Sequence, residues 1–192
     1  MYIAPGVEDA DWKQLNLDMA DSPDWSRVIS ILEMRLCGRF IEVVDFLIQE
    51  DDKRQPKDRR FGFTILAIDC LLVETVEAFR QGLTDTRRKS QQLCTSFLTQ
   101  RAAFSKFFNS DLATRFYKEF RCGIAHNAQV FGTGRVWSVG MLLTVENDRI
   151  TVNRTAFHKA VKEEFAGYLA ELRDTANNDL RSKFRTKNGF CC

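Results

Sequence analysis

Residues 61–82 read FGFTILAIDCLLVETVEAFRQG, and this stretch decides the fold. Ile65, Ile68, Leu72, Val76 and Phe79 recur at the helical period and form one apolar stripe, while Gly82 supplies a stop that accepts left-handed backbone. The pattern predicts an amphipathic helix over 61–81. Asp69 falls inside the apolar stripe, and a buried carboxylate needs a partner.

The segments on either side extend the helical reading. Ser22-Pro23-Asp24 is good capping chemistry, and residues 24–50 then place Val28, Leu32, Leu36, Val43 and Leu47 on one stripe. Residues 51–60 are charged and contain Pro56, which predicts an exposed connection. A third helix is expected over 89–108 through Leu93, Phe97, Phe104 and Phe108, and Asn109-Ser110 can cap a fourth that begins at Asp111. Residues 136–145 are then apolar and β-branched, Glu146 to Arg149 is turn-like, and Ile150-Thr151-Val152 resumes the extended pattern. A small β-hairpin at about 135–153 is therefore expected. A last helix over 154–182 carries Phe157, Val161, Phe165, Tyr168 and Leu172 on one face. The fold class is mainly α: a bundle of about five helices with a small β-hairpin before the last helix. The chain divides into an acidic segment 1–23, a single helical domain 24–182 and a basic, frayed tail 183–192.

Composition bounds the function. With 192 residues and 44% hydrophobic content, the chain can bury one sizeable core. It has no run of about 18 apolar residues and its start is acidic, so neither a membrane span nor a secretory signal is indicated, and a cytoplasmic location is expected. Cysteines 37, 70, 94, 122, 191 and 192 show no CxxC spacing, which argues against zinc and against a disulfide framework. Cys191-Cys192 resembles a prenylation signal, although nothing else supports a lipid anchor, and two terminal thiols more simply oxidise in air.

Charge is uneven. Residues 1–25 carry six acids against Lys13, whereas residues 79–121 carry nine bases against Asp85, Asp111 and Glu119. Such a basic stretch is either a solvated helix face or an electrostatic lead-in to a polyanion site. It runs into Phe116 to Ala128, FYKEFRCGIAHNA, where Arg121 and His126 combine a planar cation with a group that passes protons near neutral pH.

That stretch resembles the motif of the HEPN superfamily (higher eukaryotes and prokaryotes nucleotide-binding), an Arg, four to six residues and a His. The resemblance covers the motif strongly and the helices on either side, including 61–82, more loosely. It implies a HEPN-like domain, metal-independent cleavage of RNA without a cofactor, and a homodimer in which two Arg/His pairs border one cleft. It also implies toxin or antiviral-defence roles, with an antitoxin or other regulatory protein as partner. Two departures stand out. Cys122 occupies a position where many catalytic members carry Asn, Asp or His, and Ala128 stands where a subset carries a tyrosine that is adenylylated.

On a straight helix Phe116, Phe120 and Ile124 would face the core, with Arg121 and His126 projecting about 140° apart. Either the chain bends near Gly123 or two copies share the pocket. Asp69 has two readings: an ion pair with Arg39, which sits in the apolar stripe of the first helix, or a support that orients Arg121 or His126. His158 reads as a packed or surface histidine rather than a second catalytic one.

The chemistry these residues suit is attack of a ribose 2′-hydroxyl on the adjacent phosphorus, leaving a cyclic phosphate. His126 acts as base or acid, Arg121 stabilises phosphoryl charge, Asn127 positions the substrate, and Arg87, Arg88 and Lys89 hold the backbone. Two other readings stay open: a nucleotide- or RNA-binding or interaction module without chemistry, and a helical dimer in which Arg121 and His126 only cap and pack.

Overall fold

A computed structural model describes residues 2–189; Cys191-Cys192 lies outside the described residues. The chain opens with β1 (Tyr2–Ala4), β2 (Val7–Glu8) and a short helix α1 (Asp9–Lys13). Ile3, Ala4 and Trp12 are buried in the main core, so the acidic start is packed onto the domain rather than preceding it. Its acids stay near the surface, as do Tyr2 and Met19, while Ile3 and Trp12 anchor the segment.

The expected helix 24–50 is interrupted. Helix α2 (Asp24–Leu36) runs into a wide π-type turn over Cys37–Ile41 before α3 (Glu42–Asp52). Such a turn adds one residue to the spiral and rotates the phase of the helix beyond it. Val44 is buried instead of Val43, a slip of one position from the stripe read in the sequence.

After a single 3₁₀ turn at Pro56–Asp58, α4 (Gly62–Gln81) forms the centre of the bundle, packing against α3 and most of the later helices. Gly82 ends α4 with φ of 68°, as its sequence position predicted. The third helix breaks at Arg101, whose backbone is extended, giving α5 (Ser90–Gln100) and the one-turn α6 (Ala102–Ser105). Glu164 supplies the missing cap by accepting from the Ala103 N–H at 2.7 Å, a partner 61 positions away that no local pattern contains. Asn109 caps α7 (Ser110–Phe116) by accepting from Leu112 N, and the helix continues through a second π-type turn, Tyr117–Cys122, into α8 (Gly123–Asn127).

The hairpin is present as β4 (Leu143–Glu146) and β5 (Arg149–Asn153), closed by Asn147 and Asp148 at φ of 47° and 62°. A third strand, β3 (Arg135–Trp137), adds in parallel to the other edge of β5. The last predicted helix is two: α9 (Arg154–Arg173) and α10 (Asn178–Asn188). Asp174 and Asn177 satisfy local backbone N–H groups between them, and Asn177 caps α10. The stretch from residue 183 to 189, expected to fray, is mostly helical and buries Phe184 against Trp25 and Phe79.

A cluster of phenylalanine rings fixes the region of interest. Phe116 stacks on Phe120 at 5.3 Å and on Phe157 at 5.4 Å, and Phe104 joins Phe157 edge-on at 5.0 Å. These fully buried rings lock α7 and its π-type turn to α9.

Candidate functional site

Arg121 projects from the π-type turn toward α4. Its Nε donates to Glu74 Oε1 at 2.7 Å, its Nη2 donates to Glu74 Oε2 at 3.4 Å, and its guanidinium lies 5.7 Å from the centre of the Tyr117 ring. Ser90 Oγ donates to the second Glu74 oxygen at 2.7 Å. Burial works against the Arg121 charge, but the hydrogen bond and ion pair to Glu74 prevail, and its pKa is held above the ordinary value. Burial also raises the Tyr117 phenol, with Ser90 and Cys122 as its side-chain neighbours.

Arg121 and Glu74 border a crevice of about 380 Å³ between α4, α5 and α8. Glu74, Arg121, Ala125, Leu71 and Thr86 line it, and Cys70 lies in its wall with a thiol pushed well up by burial. The Arg121 side chain retains 26% exposure, so the cation is reachable from solvent.

His126 lies next to lining residue Ala125 but outside the crevice lining. Its side chain is exposed and has no hydrogen-bond or ion-pair partner among the described residues. Asn127 is exposed beside it. The straight-helix geometry does not apply, because the π-type turn immediately precedes α8. Gly123 becomes the buried position there, since the chain folds back over it: a Cβ at Gly123 would stand 2.5 Å from the Gln129 carbonyl oxygen. Ala128 then ends α8 in left-handed backbone at φ of 54°.

Asp69 is on α4 but buried on a different side, and its partner is His158. Asp69 Oδ1 and His158 Nδ1 are 2.7 Å apart, with 0% and 2% side-chain exposure. Neither Arg121 nor His126 bonds to Asp69, and the Arg39 pairing is also corrected. Arg39 is exposed and donates to the Tyr2 carbonyl at 3.2 Å. The acid that meets Arg121 is Glu74, which sequence reasoning missed. It stands five positions after Asp69 and off the apolar stripe, and nothing local favours it over Asp69.

Arg87, Arg88 and Lys89 sit on the α4–α5 loop, whose Thr86 reaches the crevice. Arg87 pairs with Asp85 at 2.9 Å, an interaction that pulls the Asp85 carboxyl down to about 2. Several other bases of the 79–121 stretch are also met by acids, most of them outside that stretch. Arg80 pairs with Glu171, Arg101 with Glu77, and Arg115 with Glu119 and Asp148. A charge sum along the chain therefore overstates the positive surface.

Among the described residues no group of three or more His, Cys, Asp or Glu is placed to hold a metal ion, and no helix is long and apolar enough to cross a membrane. Comparison with protein-family models, with curated proteins and with solved structures finds no match.

Proposed function

We propose that this chain is a metal-independent endoribonuclease of the HEPN type that acts as a homodimer. The observation that carries the reading is a solvent-reachable Arg121 at the mouth of a crevice, with the unpartnered, exposed His126 imidazole five residues on in the next helix turn. RNA binds with a backbone phosphate displacing Glu74 from Arg121. His126 of one copy takes the proton from the ribose 2′-hydroxyl, the oxygen attacks phosphorus, and the 5′-oxygen leaves with a proton from the other copy's His126. The Arg121 guanidinium stabilises charge on the non-bridging oxygens, Asn127 orients the ribose, and the Arg87–Lys89 loop holds neighbouring phosphates.

Dimerisation has a candidate surface. Phe63, Ala67 and Leu71 recur at four-residue spacing along α4 and lead to the crevice mouth, with Phe63 and Leu71 exposed. A two-fold contact along this stripe removes apolar area from water and brings two crevices together. A toxin or defence role under the control of a regulatory protein, in the cytoplasm, is the biological setting this reading carries.

Purified protein incubated with tRNA and mRNA in excess chelator tests the activity. Wild type releases fragments ending in cyclic phosphate, and His126→Ala cuts the rate by about two to four decades while retaining RNA binding. Equal digestion by both proteins rules the mechanism out. A second reading is favoured by the closed Arg121–Glu74 pair and by Cys122: the same surface binds RNA or nucleotide without chemistry. It predicts saturable binding with no fragments.

A further inference from the structure

A second crevice, of about 380 Å³, opens between α4, α5 and α10 and shares no lining residue with the Arg121 crevice. Its volume lies in the range of small-molecule sites, roughly 300–1,000 Å³. Glu77 forms its floor at 1% exposure. One Glu77 oxygen accepts from Gln81 Nε2 and from Ser96 Oγ, each at 2.7 Å, while the other, Oε2, is buried without a hydrogen bond. Arg101 Nε lies 3.5 Å from Oε2, too far for a good hydrogen bond, and is itself buried and unbonded. Arg80, at 8% exposure, is fixed by a bidentate contact to Glu171 and by the Tyr168 ring 4.9 Å below its guanidinium, yet its Nε too is buried and unbonded.

Buried polar atoms in folded proteins nearly always have partners, so the unbonded Glu77 Oε2 and Arg101 Nε beside one opening call for a ligand that supplies them. Arg80, Arg101 and Lys183 face the crevice against the single carboxylate of Glu77, an excess of two positive charges. Glu171 takes up the Arg80 charge, which leaves Arg101 and Lys183 facing Glu77 alone, an excess of one positive charge for an anion. The contact of Lys183 with Asp179 is an exposed pair one helical turn apart, worth little and easily exchanged.

We propose that this crevice binds a small organic phosphate that also carries an N–H donor. The phosphate accepts from Arg101 and Lys183, and the N–H donates to Glu77 Oε2. An inorganic anion leaves the carboxylate oxygen unbonded, and an amine without phosphate leaves Arg101 unbonded; only a ligand with both groups completes the site.

Calorimetric titration of the full chain without RNA tests this, using ATP and GTP as nucleotides, O-phosphoethanolamine as a phosphorylated amine, and inorganic phosphate. At least one organic phosphate binds with a Kd below about 1 mM, and inorganic phosphate binds about tenfold or more weakly. Arg101→Ala and Lys183→Ala, both near the rim and checked by melting curves, each weaken the organic ligand about tenfold. Glu77→Gln weakens it too, provided its melting curve shows a folded chain, whereas Arg121→Ala leaves it unchanged. The proposal is overturned if none of the three organic phosphates binds below about 1 mM, if inorganic phosphate binds as well, or if the rim variants behave as wild type. Loss of the ligand in Arg121→Ala also overturns it, by moving binding to the other crevice.

Discussion

Asp69 on α4 and His158 on α9 share a 2.7 Å hydrogen bond in the core, and Asp45 on α3 faces the other side of the same imidazole at 3.3 Å from Nε2. Lys162 in turn holds Asp45 at 2.7 Å from the surface side. Three helices are thus joined through one ring. Burial raises the Asp69 pKa against the opposing pull of His158, with Asp45 adding repulsion.

Removing His158 leaves Asp69 buried and unbonded, and removing Asp69 leaves the buried imidazole only the 3.3 Å contact with Asp45. Asp69→Ala or His158→Ala should each destabilise by roughly 3–5 kcal/mol, with a double variant costing less than the sum. His126→Ala, at an exposed site, should stay within about 0.5 kcal/mol. Urea unfolding measures all four. The sign with pH follows from the raised Asp69 pKa: the folded state holds this proton more tightly than the unfolded chain. Its contribution is complete below the ordinary carboxyl value of about 4 and is lost as pH rises through the folded value. The advantage of wild type over Asp69→Asn should therefore narrow from about pH 4 upward. A gap that widens would show that the charged pair, not the protonated acid, dominates.

Gly123 and Gly38 sit next to or within the two π-type turns but should respond in opposite ways. A Cβ at Gly123 meets the Gln129 carbonyl oxygen at 2.5 Å and Phe131 N at 3.1 Å, whereas one at Gly38 meets nothing within 4 Å. Gly123→Ala should cost roughly 1–3 kcal/mol and lower the melting temperature. Gly38→Ala should be neutral or stabilising by up to about 1 kcal/mol, because it removes backbone freedom from the unfolded chain.

Glu74 competes with any anion for Arg121. Glu74→Gln keeps the shape but removes the charge, and should tighten RNA binding by about fivefold, a gain of roughly 1 kcal/mol. Arg121→Ala should weaken it by a similar or larger factor. Filter binding at two salt concentrations reads both, and an unchanged affinity in Glu74→Gln would remove the phosphate from this crevice.

Leu71 tests the paired arrangement. Its side chain is exposed in the single chain, so Leu71→Glu should leave the melting curve of the monomer nearly unchanged while abolishing self-association in sedimentation. RNA cleavage should fall with it. A variant that stays dimeric, or that cleaves as a monomer, places the functional surface elsewhere.

Local sequence pattern located α4 by its period, its stop at Gly82, the cap at Asn109 and the β4–β5 turn, because each is specified by residues within one or two turns of itself. The interruptions were not legible. Both π-type turns insert a residue with no composition signal, and the break at Arg101 rests partly on Glu164, which is remote in sequence. The parallel partner of β5 was missed for a related reason, since Arg135–Trp137 is too short to show a period.

The Arg/His spacing, the apolar content and the helical class belong to the sequence by itself, for they depend on residue type and local order. Which acid meets which base was decided only by the tertiary structure. Asp69 goes to His158 and Glu74 to Arg121, because a carboxylate needs a partner within about 3 Å, and only the packing of α4 against α9 and the Tyr117–Cys122 turn sets those distances.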